Sequence, residues 1–121
     1  MGNPTKWSWV NATANVPDPI TGVAPPFVES SITGNTIGVR NTATAGSVAG
    51  TYPIQVTAPA NVTVELMNAL STALTPGNYA SAIMTDGDGV KETNSAWSAE
   101  QLFTIEAPPA VPLPPSGFTV A

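Results

Sequence analysis

The stretch Leu74-Thr-Pro-Gly-Asn-Tyr-Ala-Ser-Ala-Ile-Met-Thr-Asp-Gly-Asp-Gly89, continued by residues 90–105, decides how this chain folds. It reads as a tight turn, a strand, a hairpin tip and a second strand ending in Leu102-Phe-Thr-Ile105. Two strands facing each other across a Gly-rich tip form a β-hairpin. A lone hairpin is marginal in water, so the residues before it must supply the sheet on which it packs.

Those residues carry further strand signals. Lys6-Trp-Ser-Trp-Val10 alternates, with Trp7 and Trp9 on one face as core anchors. Residues 15–26 hold four prolines, which exclude helix and central strand and predict an ordered loop or an edge. Phe27-Val-Glu-Ser-Ser-Ile-Thr33 and Thr36-Ile-Gly-Val-Arg40 read as a hairpin with its tip at Gly34-Asn35. Residues 41–50 are small and polar and read as a loop. Thr51-Tyr-Pro-Ile-Gln-Val-Thr57 reads as an edge strand because of Pro53, with Tyr52, Ile54 and Val56 on one face. In Asn61-Val-Thr-Val-Glu-Leu-Met67 the alternation points Val62, Val64 and Leu66 inward. Residues 68–74 read as a bent strand or loop in preference to a short helix, since Pro76 follows. The total is seven or eight short strands, the pattern of an all-β sandwich or barrel.

Composition bounds the rest. A chain of 121 residues fits one domain, and thirteen prolines with ten glycines leave few windows for helix. Charged residues make up 9%, against roughly 25% in typical soluble domains, so little charge repulsion keeps copies apart. Three cations against eight carboxylates give a net charge of −5, which argues against nucleic acid as partner. With no cysteine there are no disulfides or thiolates, and no apolar run is long enough for membrane insertion. The start, Met1-Gly-Asn-Pro-Thr-Lys-Trp7, lacks the zones of a signal peptide: export is not by that route, or the signal has been removed, or release is by lysis, as for a virion protein. Residues 107–116 hold five prolines and should be extended polyproline II; Gly117-Phe-Thr-Val-Ala121 has strand composition.

The run Leu74-Thr-Pro-Gly-Asn-Tyr79, the strand after it, the tip 86–94 and Ser95-Ala-Trp-Ser98 together resemble the end of a fibronectin type III domain and of related bacterial and phage Ig-like modules. The resemblance covers roughly residues 60–106. It implies that Tyr79 is a tyrosine corner, with its ring on the core and its hydroxyl bonded to backbone upstream, and that Leu74 is its packing partner. Ser95-Ala-Trp-Ser98 would open the last strand, and Trp7 or Trp9 would stand in for the family's core tryptophan. The leucine-to-tyrosine gap is one residue shorter than the usual fibronectin form, which favours the broader Ig-like group. The expected fold is an all-β, Ig-like (fibronectin III-like) β-sandwich over residues 1–106, followed by a Pro-rich extended tail, 107–121, that ends in a partner-binding strand.

Most chemistry finds no residues to carry it. There is no histidine, so a Ser-His-Asp triad and a histidine-ligated zinc site are impossible. No pair among the eight carboxylates has a flanking motif that marks a buried acid. No catalytic residue and no cofactor is expected. Asp86, Asp88 and Glu92 are the one metal-like cluster, a fragment of a calcium loop; the favoured reading of the same residues is a hairpin tip in which Asp side chains cap turns. The aromatics are expected in the core, with Trp97 the one to face a ligand.

The function expected is that of a non-enzymatic structural or interaction protein, in its most specific form a phage virion component: a capsid decoration (cement) protein or a head or tail fibre module. Its partners would be copies of itself or the surrounding assembly, gripped by Pro112, Leu113, Pro114, Pro115, Phe118 and Val120. The alternative is a carbohydrate-binding or adhesion module of a secreted or cell-surface protein.

Overall fold

The structure, a computed structural model, describes residues 3–70 and 73–121. It is all-β. Among the described residues six strands form two antiparallel sheets, with two single turns of 3-10 helix between strands. The strands are β1 (Lys6–Ser8), β2 (Ile32–Asn41), β3 (Ile54–Pro59), β4 (Val64–Leu66), β5 (Gly77–Gly87) and β6 (Gln101–Ile105). The larger sheet has the order β3-β2-β5-β6, and β1 pairs with β4 in a two-stranded sheet.

The two long central strands set the frame. β2 and β5 pair from Ile32↔Gly87 to Asn41↔Tyr79. Residues directly opposite share a face, so Ile37, Val39, Ile54, Val56, Ile83 and Phe103 point to one side. Ile37, Val39 and Tyr79 are the buried centre of that side, and Trp7, Trp9, Leu74 and Ile105 pack against them. Trp7 reaches the large sheet directly, donating Nε1–H to Ser81 Oγ at 3.2 Å. At one end Asn11 joins the layers: its Oδ1 accepts from Trp9 Nε1 (3.0 Å) and Asn35 Nδ2 (3.0 Å), and its Nδ2 donates to the Ala60 carbonyl (2.8 Å).

The opposite face of the large sheet is also covered. Gly38, Ala80 and Ala82 lie there, and their small size admits the ring of Tyr52. A Cβ on Gly38 would sit 2.4 Å from Tyr52 Cγ. Tyr52 therefore lies on the face away from Ile54 and Val56, not beside them as strict alternation predicts. The chain bends at Pro53, before β3 begins at Ile54, and the alternation does not carry across the bend.

Other expectations are corrected. Gly34-Asn35 is not a hairpin tip but lies inside the ten-residue β2. Gly34 is needed because the backbone of β3 comes close: a Cβ there would meet the Ala58 carbonyl. A register shift against β5 between Ile32 and Gly34 is the bulge that an in-strand glycine often marks. Of the strand expected over residues 27–33, only Ile32 and Thr33 are strand, as the start of β2; Glu29–Ser31 make a 3-10 turn before it. β4 is only Val64–Leu66, with Val64 45% and Leu66 50% exposed, and Glu65 is the residue opposite Trp7. A phase error of one residue inverts every side chain of a strand. Met67–Ala69 form a 3-10 turn where a bent strand or loop was expected, and residues 71–72 of that piece lie outside the described residues. β3 is an edge strand, as Pro53 implies.

Gly38→Ala should cost about 1–3 kcal/mol, because the added methyl overlaps a ring that is held from several sides. Urea unfolding monitored by Trp fluorescence measures it, with an unchanged midpoint as the contrary result.

Candidate functional site

Three places concentrate polar or unpartnered groups. The first is on the Tyr52 face. Arg40, from β2, makes a two-pronged ion pair with Glu100: Nη2 to Oε1 at 2.7 Å and Nε to Oε2 at 2.8 Å. Its Nη1 donates to Ser47 Oγ at 3.0 Å. Tyr52 donates its hydroxyl proton to Glu100 Oε2 at 2.8 Å, and its ring meets Trp97 edge-on at 4.7 Å between centroids. The Arg40 hydrogen bonds hold the Glu100 carboxyl down at about 2, with help from the Tyr52 hydroxyl. Burial, then the bond to Glu100, pushes the Tyr52 phenol up. The bond to Glu100 raises Arg40 as well. None of the three exchanges a proton near neutral pH, so the group acts as a clasp. It ties loop 41–52 and segment 95–100 over the centre of the sheet.

Segment 95–100, Ser-Ala-Trp-Ser-Ala-Glu, adds to the clasp. Ser95 N–H donates to the Thr85 carbonyl and Ser98 N–H to the Ile83 carbonyl. The two serine hydroxyls accept from the backbone N–H of the same β5 residues, at 2.8 and 3.0 Å. Three residues of this segment therefore match two of β5 before β6 begins at Gln101. The resemblance had placed the start of the last strand at Ser95; regular pairing starts six residues later. Trp97, the expected ligand-facing aromatic, is half-buried with its ring against Tyr52.

The second place is the acidic tip. Asp88 Oδ1 accepts from the N–H of Val90 (2.8 Å) and Lys91 (3.1 Å). Those bonds, that to Val90 first, bring its carboxyl down to about 2. Gly89, at φ +77°, completes the turn by donating its N–H to the Glu92 carbonyl. The other two calcium candidates turn elsewhere. Asp86 Oδ2 accepts from Thr36 Oγ1 at 2.7 Å on the sheet. Glu92, only 7% exposed, accepts on Oε1 from Asn15 Nδ2 (2.9 Å) and the Val28 N–H (3.1 Å), fastening the Pro-rich loop 15–28 to the tip. Among the described residues no three His, Cys, Asp or Glu side chains gather where they could hold a metal ion.

The third place is the tail with the edge near its root. Residues 107–121 form no strand and are exposed throughout, including Pro112, Leu113, Pro114, Pro115, Phe118 and Val120. Phe118 is 88% exposed. β6 is the outermost strand of its sheet. Just past it, Asn3 imitates a strand: its Nδ2 donates to the Glu106 carbonyl (3.3 Å) and its Oδ1 accepts the Glu106 N–H (2.8 Å). The clasp had no sequence signal beyond the presence of one arginine, since its members are spread over residues 40–100. No helix of the described residues is long and apolar enough to cross a membrane. Comparison with family models, curated proteins and solved structures finds no match.

Acid should loosen this fold through the two depressed carboxyls. A group whose folded pKa lies below its unfolded value stabilises the fold above the unfolded value, and that contribution is lost as pH falls through the folded one. For Glu100 the window runs from about 4.5 down to about 2. Glu100→Gln should flatten the stability-against-pH curve in that window and lower stability at pH 7, read from urea midpoints at stepped pH.

Proposed function

We propose that this chain is a non-enzymatic interaction module, an Ig-like β-sandwich that joins or decorates a larger assembly, with a phage virion as the setting its composition fits best. The observation that carries this reading is the contrast between a body whose buried polar side chains are engaged with one another and a tail whose apolar residues are exposed. In the body, Arg40, Glu100, Tyr52 and Glu92 each hold another part of the chain, and Asp88 caps its own turn. In the tail, Val111, Leu113, Phe118 and Val120 are exposed on a Pro-rich extended run. Large apolar side chains displayed on a stiff, low-entropy segment suit docking to a partner. A surface with few charges suits close packing among neighbours.

The Ig-like assignment draws support from the corner that opens the deciding hairpin. Tyr79 is buried, its hydroxyl donates to the Thr75 carbonyl at 2.7 Å, and its ring stacks on Phe103 at 5.5 Å. Leu74 packs against the same core cluster. The glycan-binding alternative has less beneath it, because Trp7, Trp9 and Trp97 are each half-buried and tied to neighbours rather than displayed together.

Removing residues 107–121 should leave the urea midpoint and far-ultraviolet dichroism of the body unchanged, since no tail side chain is buried in it. It should abolish association above the 12.3 kDa monomer, measured by sedimentation velocity. Association that survives the deletion overturns the proposal.

A further inference from the structure

The tail holds a near copy of the edge strand. Phe103-Thr-Ile105 of β6 recurs as Phe118-Thr-Val120, with the same alternation of aromatic, threonine and β-branched aliphatic. In β6 that alternation turns Phe103 and Ile105 half-buried toward the core, while Thr104 stays exposed on the other face. A second segment with the same pattern suits the same sheet environment.

Of the two edges of the large sheet, one is suited to receive it. β3, at one end of the large sheet, ends in Pro59 and begins just after Pro53, devices that blunt an edge against pairing. β6, at the other end, reads Gln-Leu-Phe-Thr-Ile with no proline and no charge, and among the described residues its outer edge pairs with no strand, Asn3 holding only the backbone of Glu106 just past it. The nearest charge before it, Glu100, is neutralised by Arg40. Leu102 on this strand is 77% exposed. Beside the end of β6 lies a hollow of about 460 Å³, lined in the main by Pro4, Leu66, Met67, Leu70, Leu74 and Ile105. It opens between the two sheets on the core face, where a strand added to β6 would point its Phe118 or Val120 side chain.

The tail is poorly placed to fill its own edge. Five prolines in residues 107–116 form a stiff spacer, about 30 Å long at roughly 3.1 Å per residue, that carries 117–121 away from the strand it leaves. We infer that residues 117–121 of one copy add a strand to the free edge of β6 on a second copy, with the side chain of Phe118 or Val120 seated in the hollow beside Ile105. This rests on the tail being the contact element and names its partner and receiving site. Each copy then carries one donor and one acceptor, and association either closes by exchange or propagates head to tail.

Cysteine pairing tests it cleanly, because the chain has no cysteine of its own. A full-length donor carrying Thr119→Cys is mixed with a full-length acceptor carrying Leu102→Cys or Thr104→Cys on β6, or Gln55→Cys or Thr57→Cys on β3. Under mild oxidation the β6 acceptors should give at least about tenfold more mixed disulfide dimer than the β3 acceptors, the ratio that ~1.4 kcal/mol of preference produces. Phe118→Asp in the donor should remove that excess. Equal trapping at β3, or a Thr104→Cys/Thr119→Cys chain that closes on itself, overturns the inference. So does tail-dependent association without any β6 trapping, a result that leaves the tail as contact element intact. If the full chain sediments as a monomer at every concentration, the broader proposal falls with it.

Discussion

The pairing of β2 with β5 is the constraint on which the rest depends. These are the two longest strands, they sit at the centre of the larger sheet, and both of its faces are covered where they meet. On one face Ile37 and Val39 are almost wholly buried under the tryptophan-bearing small sheet. On the other, glycine at 38 leaves room for Tyr52 against the sheet, and the small Ala80 and Ala82 are buried on the same face. Apolar burial of this kind contributes roughly 25 cal/mol per Å², and a domain with so few large side chains has little to spare. The Arg40–Glu100–Tyr52 clasp and the Glu92 tie follow from that scarcity. They hold long loops over a thin core with hydrogen bonds in place of bulk.

The same arrangement separates stability from interaction. Arg40, Glu100, Asp86 and Glu92 are bonded within the body, which leaves few charges on a surface rich in Thr, Ser, Asn and Ala with scattered apolar residues. With three cations and eight carboxylates in 121 residues, such a surface carries little charge. What it does offer is an unblunted strand edge next to an apolar hollow, and a stiff tail ending in a strand-like sequence. Those two features are complementary in chemistry, and strand addition uses backbone hydrogen bonds that need no particular side chains.

Much of the fold was legible where the sequence signal is local. The hairpin of residues 74–105, the Tyr79 turn, the Asp88 cap, the edge position of β3 and the core role of Trp7 all follow from turn residues and alternation. Two of the failures share one cause: glycine and proline report that the backbone does something special without saying what. Gly34 marks a close backbone approach and a bulge, though it reads as a turn. Pro53 marks a bend that sends Tyr52 to the far face. The alternation of residues 61–67 predicts the wrong phase for β4, where pairing puts Glu65 opposite Trp7. The clasp was illegible because its members come together only through the sheet register, with Arg40 and Glu100 sixty residues apart. The tail was legible as extended, since five prolines in ten residues leave it little else, yet its receiving edge emerged only from the strand order.

Residue-resolved amide hydrogen exchange, followed across protein concentration, tests the central claim that a stable β2–β5 ladder carries a free β6 edge filled by another copy. The account predicts that the amides of Ile37, Val39, Ala80 and Ala82 exchange slowest at every concentration, while the β6 amides that do not face β5 exchange quickly in dilute solution and slow as concentration rises. Protection of those β6 amides that does not change with concentration, or concentration-dependent protection along β3 instead, would contradict it.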